Sequence, residues 1–315
     1  MSRVAFVFPG QGAQKVGMGQ DWAQASKAAR AAFDEASGAL GFDIAALCWQ
    51  GPAEDLQRTE NTQPAILTTS IAIWRAAREQ LPAPDVVAGH SLGEYSALVA
   101  AGVLEFADAV RLVRARGRLM QEAVPEGEGA MAAILGLEAA AVEALAAEAS
   151  EDGVCAAANF NAPEQTVVAG DRRAVERAVE IAKQRGAKRA VLLAVSAPFH
   201  SPLMAPARAG LEPLLEDTDF ADAAVPVVTN VDALPVTEGA ASREALGRQV
   251  DGAVRWVESI ERMREEFAIE TFIEIGPGSV LSGLIRRIAP GAQVVSLSET
   301  TGLEKLAVLE QESQG

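Results

Sequence analysis

Residues 86–95 read VVAGHSLGEY, a short apolar run followed by Ser91 set between Gly89 and Gly93. Val86 to Ala88 read as a buried strand, and a helical pattern begins at Leu92. A GxSxG between a strand and a helix is the setting of a nucleophile elbow. There the glycines let the backbone turn sharply and lift the hydroxyl clear of the sheet. The helix start behind the serine offers free N–H groups and a positive dipole end, suited to a developing oxyanion. The competing reading is a tight turn with a capping serine.

Working outward, residues 3–8 form a second apolar run that stops at a polar, glycine-rich loop, PGQGAQKVGMG. Helical patterns follow near 20–37 and 62–80, with Pro64 at the start of the second. Two more lie near 92–101 and 105–122. Strand, glycine turn and helix recur in TFIEIG and PGSVLSGLIRRI, before a last strand in AQVVSL. Short apolar strands alternating with helices predict a parallel sheet covered on both faces. The middle of the chain has the order β-α-β-β-α-β, from AMAAILGL to KRAVLLAV. The expected fold is therefore α/β. An α/β-hydrolase-like large domain with a mostly parallel sheet (1–125 and 197–315) carries an inserted ferredoxin-like (βαββαβ) subdomain at 126–196.

Composition narrows the function classes. The 315 residues are 49% apolar and 22% charged, as in a globular chain with a sizeable core. A net charge of −16 argues against nucleic acid and against an anionic membrane surface. No run approaches the ~20 apolar residues of a membrane span, and residues 4–8 are too few for a signal peptide. Cys48 and Cys155 stand far apart in no metal-like spacing and read as reduced buried thiols. A cytoplasmic monomer without metal is expected.

A serine nucleophile needs a base, and the chain has two histidines. His90 adjoins Ser91 at a strand end, where neighbouring side chains point opposite ways. His200, in VSAPFHSPLM, follows the last strand of the middle segment and is preferred by elimination. Among 43 acidic residues the sequence selects no acid to orient it.

The helix near 105–122 places Arg111, Arg114 and Arg118 on one face, but Arg116 on a stripe with Leu112, Leu119 and Ala123. An arginine on an apolar stripe must find an anion. The helix from Leu92 to Ala101 recedes from the serine by about 15 Å, and a returning helix covers about 18 Å from Glu105 to Arg116. An antiparallel pair would therefore bring Arg116 level with Ser91. Two explanations remain open on this ground: a substrate carboxylate held by the guanidinium, or an internal ion pair.

The segments FVFPGQGAQ, NTQPA, GHSLGEY, RGRLMQEAVPEGEGAMAA, ANFNAPEQTVVAG, SAPFHSPLM, VRW and EIGPGSVLSGL occur in order along nearly the whole chain. Together they resemble the malonyl-CoA:acyl carrier protein transacylases of bacterial fatty-acid synthesis, to which polyketide synthase acyltransferase domains are related. The resemblance implies a Ser91–His200 pair. It also implies that the missing acid is replaced by the main-chain carbonyl of Gln249, near a helix end where carbonyls lack helical partners. It places the oxyanion hole at the N–H groups of Gln11 and Leu92, and assigns Arg116 to the malonyl carboxylate. Leu92 and Phe199 resemble the malonyl-selective pattern of the polyketide relatives.

The implied reaction transfers malonyl from malonyl-CoA to the phosphopantetheine thiol of acyl carrier protein through a malonyl-serine, with no cofactor. Because such carriers are acidic, docking calls for local positive charge. Lys188 with Arg189, and Arg286 with Arg287, are the candidates, against the alternative that they are solvated surface charges. The rival functions are a serine esterase, a polyketide-type acyltransferase using another extender unit, and a catalytically dead carrier-docking module.

Overall fold

The computed structural model describes residues 3–195 and 197–312. Ser196, the first residue of the SAPFHSPLM segment, lies outside the described residues.

Two sheets organise the chain. The larger holds β1 (Val4–Phe8), β2 (Val86–Gly89), β7 (Val227–Val228), β8 (Pro235–Val236), β9 (Thr271–Glu274) and β10 (Gln293–Ser296) in the order β10-β9-β1-β2-β7-β8. From β10 to β7 every pairing is parallel, and only the two-residue edge strand β8 runs antiparallel. Alternation along β1 supplies both faces. Val4, Phe6 and Phe8 join a core that includes the helices Lys27–Leu40, Thr59–Ala77, Gly93–Ala100 and Phe106–Glu122. Ala5 and Val7 face a second core built on Trp256–Glu266 and Val280–Ile288. Burial on both faces explains why these strands read as continuous apolar runs rather than alternating ones.

The smaller sheet holds β3 (Gly129–Leu135), β4 (Cys155–Ala162), β5 (Gln165–Asp171) and β6 (Arg189–Leu192) in the order β4-β5-β3-β6, all antiparallel. The helices Ala139–Ala149 and Arg172–Gln184 cover one face, packing on Ala130, Ala132, Ile134 and Val168. The opposite face contributes Met131, Val167 and Ala169 to the main core. The backbone of β4 also bonds to residue 254: Phe160 N–H donates to the Val254 carbonyl at 2.9 Å, and Val254 N–H to that of Ala158 at 2.9 Å.

Three sequence expectations change in detail. The helix near 20–37 is two helices, Gln20–Ala25 and Lys27–Leu40. Between them Ser26 is extended, and its hydroxyl caps the second by accepting Ala29 N–H. The helix at 62–80 runs over Thr59–Ala77, so Pro64 is its sixth residue, and the Glu60 carbonyl that it leaves without a helical donor accepts from Arg114 at 2.8 Å instead. The strand in KRAVLLAV keeps only Arg189–Leu192; Leu193, whose N–H still donates to the Met131 carbonyl at 2.8 Å, and Val195 line a cavity.

Candidate active site

The chain turns at the end of β2 because two glycines permit contacts that no side chain would. A Cβ on Gly93 would lie 2.0 Å from the Phe8 carbonyl oxygen, and one on Gly89 would lie 1.9 Å from the Gly93 backbone. The helix Gly93–Ala100 thus packs directly on the strands. Ser91, between them, takes φ 52°, a left-handed conformation costly for a non-glycine residue. Asn230 secures it: its Oδ1 accepts Ser91 N–H at 2.6 Å and its Nδ2 donates to the Gly89 carbonyl at 2.6 Å.

His200 also holds a positive φ, 58°, and presents its ring to the elbow. Its Nε2 is 2.7 Å from Ser91 Oγ. Its Nδ1 lies 2.9 Å from the Gln249 carbonyl oxygen and 3.2 Å from that of Gly252. Both partners only accept, so Nδ1 carries the proton and Nε2 is the acceptor facing the hydroxyl. Burial, and then the positive Arg116, push the imidazole down to about 3, so it is neutral at pH 7 with its Nε2 lone pair facing the hydroxyl.

Arg116 returns beside the serine, as the helix lengths require. Its Nη2 donates to Ser91 Oγ at 3.2 Å and to Gln249 Oε1 at 2.8 Å, while Nη1 donates to Gln63 Oε1 at 2.9 Å. The side chain is 1% exposed. Among the described residues no carboxylate forms an ion pair with it, and its Nε has no partner. The internal ion pair left open by the sequence is therefore absent. Two neutral amides hold the cation, and no carboxylate of the described residues touches it at the cavity.

These groups line a cavity of about 180 Å³ between the two sheets. Gln11, Gln63, Ser91, Leu92 and Arg116 come from the larger unit, and Met131, Asn159, Asn161 and Val167 from the smaller. Phe199 and His200 come from the segment that returns from β6. Among the described residues, no acceptor takes the backbone N–H of Gln11 or Leu92, so both remain available to a ligand. Leu92 starts the helix Gly93–Ala100, where orphan donors are expected. His90 turns away as anticipated, its Nε2 meeting Asn161 Oδ1 at 2.7 Å.

The candidate docking residues lie apart from this cluster. Lys188 pairs with Glu164 at 2.9 Å, and Arg287 donates to the Pro163 carbonyl at 2.8 Å and to Gln165. Both therefore converge on the β4–β5 turn. Arg286 donates to the Val294 carbonyl at 3.2 Å, and Arg189 is exposed on β6. Among the described residues no three His, Cys, Asp or Glu side chains cluster as metal ligands would.

Sequence reasoning did not single out Gln63, Asn161, Asn230, Glu94 or the side chain of Gln249 for the site. Polar residues within buried helices, strands and turns carry no signal of which way they face. The hint that existed was Gln63 and Glu94 lying in otherwise buried helical stretches.

Comparison with known proteins places the chain in context. Residues 5–303 match the acyl transferase domain family. The malonyl CoA-acyl carrier protein transacylase of Escherichia coli strain K12 is 51% identical over 304 residues, 96% of this chain and 98% of that protein. The acyl-carrier-protein S-malonyltransferase structure from Burkholderia pseudomallei 1710b superposes with a TM-score of 0.94 at 49% identity, covering 96% of this chain and 99% of that one. A malonyl-transacylase solved with a holo type II polyketide acyl carrier protein aligns with a TM-score of 0.94 at 47% identity, covering 98% and 100%.

Proposed function

The chain belongs to the acyl transferase domain family, and from that premise we propose that Ser91 carries malonyl between malonyl-CoA and acyl carrier protein. The chain is an acyltransferase that moves malonyl to the carrier, the transfer for which its relatives are named. The observation that carries the serine's role is the guanidinium of Arg116, in contact with no carboxylate of the described residues and 3.2 Å from a hydroxyl that is itself 2.7 Å from an imidazole acceptor. A serine esterase would need no such cation at its nucleophile.

In the proposed mechanism His200 Nε2 takes the proton from Ser91 Oγ as the oxygen attacks the thioester carbon. The carbonyl becomes an oxyanion held by the N–H groups of Gln11 and Leu92. The C–S bond breaks, the departing sulfur takes the proton from His200, and malonyl-serine remains. The carrier's thiol then gives its proton to His200 and attacks the ester. Ser91 Oγ leaves and recovers the proton. The Gln249 carbonyl, with that of Gly252, keeps the imidazole in the required tautomer throughout, in place of a buried carboxylate. Arg116 holds the acyl carboxylate, and Phe199 narrows the cavity against a methyl branch. One methyl group is worth ~1–3 kcal/mol, so this selectivity is partial. In this mechanism the enzyme itself needs no metal or prosthetic group, and the accepting thiol is that of the carrier's phosphopantetheine.

The finer architectural reading is that the larger unit (1–125 and 197–315) is α/β-hydrolase-like and residues 126–196 form a ferredoxin-like subdomain. Its support is the elbow after a central parallel strand and the β4-β5-β3-β6 order of the smaller sheet. Among the described residues no helix is long and apolar enough to cross a membrane. A cytoplasmic monomer is the proposed working form, and the carrier docks over Lys188, Arg189, Arg286 and Arg287.

Intact-mass analysis after exposure to malonyl-, methylmalonyl- and acetyl-CoA tests this. A stable malonyl adduct that Ser91→Ala abolishes is expected, whereas rapid hydrolysis without an adduct would return the reading to an esterase. Stronger labelling by methylmalonyl-CoA would favour the polyketide-type extender reading.

A further inference from the structure

Glu94 is buried three residues beyond the nucleophile, 1% exposed, and the mechanism above gives it no task. Among the described residues no cation lies within salt-bridge distance of it, and Arg116 acts on it across the Gln249 side chain. Its Oε2 accepts two hydrogen bonds, from Gln249 Nε2 at 2.8 Å and from Asn230 N–H at 3.0 Å. Burial of the carboxylate raises its pKa to about 7, against the pull of those two bonds and of Arg116.

Glu94 Oε2 faces two donors and so acts only as an acceptor, and this fixes the direction of a chain of bonds. Gln249 has one amide, with an oxygen end and a nitrogen end. Nε2 points its hydrogens at two acceptors, Glu94 Oε2 and the Ser91 carbonyl at 2.9 Å. The oxygen end is thereby turned outward, where it receives Arg116 Nη2 at 2.8 Å. The guanidinium is steered by a carboxylate that does not touch it. Direct contact would place an anion where the substrate carboxylate must sit. An amide spacer orients the cation and leaves its free edge for the acyl group.

We propose that Glu94 is a positioning residue for acyl selectivity, acting through the Gln249 side-chain amide to hold the Arg116 guanidinium towards the cavity. The inference rests on the malonyl reading of Arg116. It assigns Glu94 no contact with substrate. Its second bond, to Asn230, is backed by the separate bond from Asn230 Nδ2 to the Gly89 carbonyl, so the elbow keeps an anchor when Glu94 is changed.

The test compares malonyl and acetyl loading of Ser91 by intact mass in wild type, Glu94→Gln and Glu94→Met, each first checked by thermal melt. Glu94→Gln retains a carbonyl oxygen for both donors, and its malonyl-over-acetyl ratio should stay within about threefold of wild type. Glu94→Met matches the length without an acceptor; the ratio should fall about tenfold, through malonyl KM, while acetyl loading persists. If the methionine variant does not fold, Glu94→Ala leaves the same two donors without a protein acceptor and carries the same expectation. Equal loss of both loadings, or an unchanged ratio in a folded variant lacking the acceptor, would show a purely structural residue and overturn the proposal. A glutamine variant as impaired in ratio as methionine would assign the effect to charge, and would overturn it equally. A wild-type enzyme without malonyl preference would instead defeat the underlying reading of Arg116, which the wild-type arm reports separately.

Discussion

Arg116 sets the terms at the residue scale. Among the described residues the guanidinium is held by the Gln63 and Gln249 side-chain oxygens and the Ser91 hydroxyl, with no carboxylate in contact, so an incoming anion can be its first charged partner. Arg116→Ala should therefore lower malonyl loading by at least about a hundredfold, the worth of a charged hydrogen bond of ~3 kcal/mol, while acetyl loading falls far less. Steady-state loading with both donors measures it. The buried titrating groups give a second expectation. His200 sits at about 3 when folded against 6.5 ordinarily, so below pH 6.5 the unfolded chain takes the proton first and stability is lost. Glu94 sits at about 7 against 4.5, so between those values the folded chain takes the proton first and stability is gained. The two effects, each ~1 kcal/mol per pH unit, oppose one another between pH 6.5 and 4.5. Relative to wild type, His200→Gln should melt progressively higher as pH falls from 7 to 5, and Glu94→Gln progressively lower. Calorimetric scans at several pH values would check both signs. Arg116 was legible from helix spacing because a charge on an apolar stripe is an anomaly. The Gln249 carbonyl was not legible from the residues, since every residue has one; the family resemblance pointed to it.

At the level of elements, the elbow depends on a helix lying against bare backbone. Gly93→Ala would put a methyl group 2.0 Å from the Phe8 carbonyl oxygen, forcing helix and strand apart. The cost should be at least ~2 kcal/mol, with Ser91 labelling lost even where the protein still folds. Denaturant melts with active-site titration separate the two effects. The strands of the larger sheet were legible because burial on both faces makes them continuous apolar runs. Boundaries set by a single polar group were not. Ser26 reads as one more helical residue until its hydroxyl is seen capping the next helix. Leu193 and Val195 look like strand residues, yet they serve the cavity wall.

Across the whole molecule, a chain of net charge −16 must meet an acidic carrier through local exceptions. Arg189 and Arg286 are the better probes, because Lys188 and Arg287 already brace the β4–β5 turn. Arg189→Glu combined with Arg286→Glu should slow transfer to the carrier about tenfold at low salt and leave malonyl loading unchanged. Stopped-flow transfer at two ionic strengths would measure this, and equal rates would remove these positions from the docking surface.

The join between β4 and residue 254 has a mechanical corollary. Gln249 and Gly252, whose carbonyls steady the imidazole, lie only a few residues upstream of that seam. A load applied to the small sheet would therefore have a main-chain route to the carbonyls that steady the proton acceptor. Grip and chemistry share one lever arm, so stiffening or loosening that seam should alter turnover without a single change among the groups that meet the acyl chain.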